Sequence, residues 1–201
     1  MGPDKERVCA VFIFDGFADH EVVPVMSWLN LHTDLAIETF SVDGHAVNSL
    51  SGLRVIPDMS LRQLDPDLFD LLLLPGGMQW ETGDNLEIFP LIRDCAGYKP
   101  IAAISEAILV LGDLGLLDDI PHTSPFPDYI AQFCVDYKGL ALYRSAPYVD
   151  AGGKIITVNG IDLPRLTQEV GTLFCRSGKE EVRDWEGRFP AGMKMQSFFG
   201  R

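Results

Sequence analysis

Three strand-length segments constrain this chain most: residues 8–14 (VCAVFIF), 70–74 (DLLLL, apolar after its first residue) and 100–104 (PIAAI). Each has strand length and none alternates with polar residues. That is the signature of strands covered on both faces, which parallel sheets require. Between them lie stretches of helical periodicity. In residues 18–32 the apolar side chains Val22, Val25, Met26 and Leu29 recur at helical spacing, with Pro24 predicting a late start or a kink. Residues 85–97 and 106–117 read as two more helices, and 163–175 as a late one. Residues 35–42 and 154–158 read as further strands, with short strand-like pieces at 47–50 and 53–56.

Strands alternating with helices predict an α/β fold, a doubly wound and mostly parallel sheet sandwiched by helices in flavodoxin-like fashion. The length of 201 residues suits one domain. Residues 1–179 are assigned to it, and 180–201, of weak periodicity, to a C-terminal tail that is disordered or docks on a surface.

Charge narrows the partners. A formal net charge of −13 repels phosphate backbones and anionic lipid, so neither nucleic acid nor a membrane is an expected partner. No apolar run has the length of a membrane span, and the charged start lacks the layout of a signal peptide. Cys9, Cys95, Cys134 and Cys175 form no CxxC pair, so reduced thiols in a cytoplasm are expected. The histidines share no ligand spacing with them, and neither metal nor cofactor is called for.

In such a fold, ligands sit beyond the carboxyl ends of the strands. The turn after residue 104 reads Ala103-Ile104-Ser105-Glu106-Ala107, with small residues two positions either side of Ser105. A nucleophile on a sharp strand-to-helix turn needs such neighbours. Serine is also a favoured helix N-cap, and spacing alone prefers that ordinary role. Gly76 and Gly77 end the second apolar run; their N–H groups suit either an oxyanion pocket or a tight exit turn. Glu21 fits a helix-start acid. His122 fits a turn histidine, or a base if it reaches Ser105. Glu106 is grouped with the pocket, its side chain expected to run away along the helix.

Taken together, these segments resemble the DJ-1/PfpI (ThiJ) superfamily, in its type 1 glutamine amidotransferase-like, PfpI/YoaZ-like subgroup. The resemblance covers about residues 8–174. It rests on DGFADHE with Glu21, LLLLPGG with Gly76 and Gly77, AAIS with Ser105, the stretch around His122 to Ser124, and GKIITVNG. It implies a homodimer with a small-molecule ligand or substrate, and a site built on Ser105 and Glu21, to which His122 is added as a base if it reaches Ser105. Three features depart from the family pattern. Ser105 stands where the family has its reactive cysteine, Arg165 where the subgroup has a glutamate, and Glu106 where PfpI-type peptidases have a histidine. Serine has no thiol redox chemistry and needs a positioned base. Three readings stay open: a binding or regulatory member lacking thiol catalysis, a hydrolase or amidase using Ser105, and an engineered Cys-to-Ser form of a cysteine enzyme.

Overall fold

The computed structural model describes residues 7–160. Seven strands form one sheet in the order β5-β2-β1-β6-β7-β9-β8. Its centre is β1 (Arg7–Phe12), β6 (Leu71–Leu74), β7 (Ile101–Ile104) and β9 (Ile155–Val158), flanked on one side by β2 (Leu35–Ser41) and β5 (Met59–Ser60). All these neighbours pair in parallel. Only β8 (Tyr148–Ala151) runs antiparallel, beside β9. The apolar runs are central because burial on both faces is the one environment that suits them. Leu71 to Leu74 and Ile101 to Ile104 are fully buried. Omitting the short edge strands, the chain-order sequence across the sheet is 2-1-3-4-5, so the topological switch lies between β1 and β6.

Helix α1 (Asp19–His32) begins on time and passes through Pro24. It packs Val22, Val25, Trp28 and Leu29 into the core, all fully buried. At roughly 1.5–3 kcal/mol per large apolar side chain, this outweighs the missing hydrogen bond at Pro24. The predicted helix at 85–97 is shorter: a 3-10 turn at Leu86–Ile88 leads into α2 (Phe89–Cys95). The one at 106–117 is a 3-10 turn at Ser105–Ala107 followed by α3 (Ile108–Asp113). It stops where Gly115 takes φ +68°, a conformation that ends a helix.

The pieces at 47–50 and 53–56 form a hairpin of β3 (Val47–Asn48) and β4 (Arg54–Val55), outside the main sheet. Asp19 anchors it by accepting the Ser51 N–H at 3.2 Å. The strands β5 and β8 and the helix α4 (Tyr129–Phe133) were not anticipated. All are short, and β8 is a half-exposed edge strand without an apolar run. Cys9, Cys95 and Cys134 are buried and unpaired. No helix among the described residues is long and apolar enough to cross a membrane. The late helix at 163–175, Arg165, Cys175 and the tail lie outside the described residues.

Candidate functional site

Ser105 leaves the carboxyl end of β7 with φ +54°, one of two non-glycine residues at positive φ among the described residues. A side chain in that region costs roughly 1–2 kcal/mol. The N-cap of the turn that follows is Ile104 and Ser105 is its first residue, so the ordinary capping role does not account for Ser105. Ala103 and Ala107, both fully buried, leave the turn room. The side chain is itself 7% exposed, buried among polar groups rather than in the apolar core.

Those groups come from three strand ends. Glu21, in the first turn of α1, is buried and its carboxyl hydrogen-bonds the Ser105 hydroxyl. The Gly76 N–H donates to Glu21 Oε2 at 3.0 Å. The Gly77 N–H donates to Glu106 Oε2, also at 3.0 Å. Close approach depends on glycine here. A Cβ on Gly76 would stand 2.5 Å from Glu21 Oε2, 2.5 Å from Glu106 Oε2 and 3.0 Å from Ser105 Cβ. The loop is held from behind, because the Trp80 indole donates to the Pro75 carbonyl at 2.9 Å. Trp80 in turn stacks edge-on against Phe14 at the end of the first apolar run.

Burial pushes the Glu21 carboxyl up to about 8, with the Glu106 charge adding to the rise and the hydrogen bonds from Gly76 and Ser105 offsetting part of it. Glu21 is therefore mostly neutral at neutral pH. A neutral carboxyl cannot take a proton from serine.

Glu106 does not run away along the helix, as expected from its position; it folds back to Gly77. The backbone donor there attracts its charge, and a charge-assisted bond outweighs the freedom of an extended side chain. The two diglycine N–H groups, read from sequence as oxyanion donors, are thus both taken by carboxyl groups of the chain itself.

His122 is not brought to Ser105. It is fully buried, with Nδ1 against the Ile120 carbonyl at 2.8 Å and Nε2 on the Tyr137 hydroxyl. Burial holds its imidazole below the ordinary range, and both nitrogens are occupied, so it has no lone pair to offer serine. The sequence reading overlooked Gly160. A Cβ there would lie 2.9 Å from both Ser105 Oγ and Glu21 Oε1. The signal was the Asn-Gly pair closing the last strand.

A separate apolar cavity of about 310 Å³, lined by residues including Ala96, Leu116, Ile120 and Ile155, opens near the amino end of β9, away from this cluster.

A sequence model of the DJ-1/PfpI family matches residues 7–171. A Bacillus subtilis (strain 168) protein named "Uncharacterized protease YoaZ" is 28% identical over 189 residues, covering 90% of each chain. A second from that organism, "Uncharacterized protease YdeA", is 32% identical over 149 residues, covering 74% of this chain and 73% of its own. Among solved structures, the DJ-1 superfamily protein Atu0886 from Agrobacterium tumefaciens superposes with a TM-score of 0.79 at 29% identity, covering 90% of this chain and 98% of that one.

Proposed function

This chain belongs to the DJ-1/PfpI family, and we propose that within it the protein is a member without nucleophilic catalysis, whose crevice at Ser105 takes a small molecule for a binding or regulatory role. One observation carries the reading: the carboxyl beside Ser105 and both diglycine N–H groups are otherwise engaged. Glu21 holds its proton to about pH 8, and the Gly76 and Gly77 N–H groups are bonded to Glu21 and Glu106. A hydroxyl without a base and without the diglycine donors is a poor nucleophile. Residues 1–179 act as the domain that carries this site, with 180–201 as its tail. The buried, unpaired cysteines suit a reducing cytoplasm.

The second reading, a serine hydrolase or amidase, is favoured by the strained turn at Ser105, and the relatives whose names include "protease" fit it. A fluorophosphonate probe separates the two. The binding reading expects no covalent labelling at neutral pH, and a melting temperature raised by small neutral carbonyl compounds without their turnover. Labelling that disappears in Ser105→Ala would overturn it.

A further inference from the structure

We propose that Glu106 is an internal occupant of the oxyanion position and makes the crevice refuse carboxylate ligands. Glu106 Oε2 accepts the Gly77 N–H at 3.0 Å, across 29 positions of sequence. That oxygen stands 2.5 Å from the Cβ position that Gly76 leaves empty, and Ser105 Cβ stands 3.0 Å from the same point. A ligand oxygen that needed both the Gly77 N–H and a place over Ser105 would have to stand where Glu106 already is. The backbone of Glu106 is fixed by the strained turn beside it, so its reach to Gly77 is set by the fold.

An incoming carboxylate meets two costs. It must break a charge-assisted hydrogen bond and leave the Glu106 charge to be accommodated elsewhere. A neutral molecule that accepts or donates around Glu106 meets neither. The substrate or ligand class admitted is therefore uncharged at this end. The inference rests on the reading of the crevice as a small-molecule site, but its test does not depend on whether Ser105 reacts.

The probe is sodium acetate, titrated calorimetrically into the full chain at neutral pH against a sodium chloride control. Four proteins are compared: the parent, Glu106→Ala, Glu106→Gln and Glu87→Ala, the last removing one exposed charge far along the chain. Glu106→Ala is expected to bind acetate at least ~10-fold more tightly than the parent. Glu106→Gln stays near the parent, because its amide oxygen still accepts from Gly77, and Glu87→Ala is unchanged.

Equal gains in the alanine and glutamine variants would reduce the effect to charge and overturn the occupancy. So would acetate binding by the parent as tight as by Glu106→Ala, or a well-folded Glu106→Ala that binds none. If the alanine variant loses its near-ultraviolet circular dichroism, Glu106→Ser replaces it with the same outcomes. Phosphonate labelling of Ser105 would sink the proposed function yet leave these acetate results readable.

Discussion

Glu21 is the residue on which the chemistry turns, because its proton decides what Ser105 can do. A carboxyl that titrates near 4.5 when unfolded and near 8 when folded binds its proton more tightly in the native state. Its contribution to stability is fully present below the unfolded value and is lost as pH rises toward 8. Denaturant unfolding of the parent should therefore lose on the order of 3–5 kcal/mol between about pH 5 and about pH 8, other groups aside. Glu21→Gln, uncharged throughout, should flatten that slope; an unchanged slope would mean that Glu21 ionises freely in the folded protein. The turn at Ser105 was legible in the sequence from the alanines two positions either side, although spacing alone favoured a capping role. The fold-back of Glu106 was not, because it depends on an unpaired N–H that only the assembled strand ends place within reach. His122 was misleading for the same reason: Tyr137, its partner, lies 15 positions away and carries no local signal.

At the scale of elements, α1 positions Glu21 while accommodating a proline in its interior. Because its anchoring comes from four buried apolar side chains rather than from propensity, Pro24→Ala should leave the site untouched. Recovering an N–H for the helix should stabilise the protein by about 1–3 kcal/mol, read as a raised melting temperature. A fall would show that the half-buried ring contributes packing that alanine cannot replace. The long apolar runs made the central strands legible, and the helical period made α1 so. What stayed hidden were elements defined by pairing alone. The four residues of β8 become a strand only because β9 offers an edge, and the two residues of β5 only because β2 does. Helix lengths were overestimated where an apolar run continued past Gly115, and where a 3-10 turn after Asn85 took up the first residues.

The whole molecule presents apolar side chains to solvent at the hairpin region, with Leu50, Leu53 and Ile56 all more than half exposed. Together with the family resemblance they support a homodimer, as two copies would cover what one leaves open. Sedimentation at micromolar concentration should give twice the monomer mass, 22.2 kDa each; a single monomeric boundary would remove the proposal. The net charge of −13 does not oppose this, since a face poor in charge is where like-charged molecules meet at least cost. The flanks of the sheet bear on how copies can join. Among the described residues, one flank is the two-residue β5 and the other a short strand preceded by Pro147, so neither exposes a long ladder of vacant amides on which a foreign strand could lengthen the β-structure. Growth strand by strand is thereby blunted at both margins, which leaves side-chain contacts, not an open-ended fibre through the backbone, as the way two copies would meet.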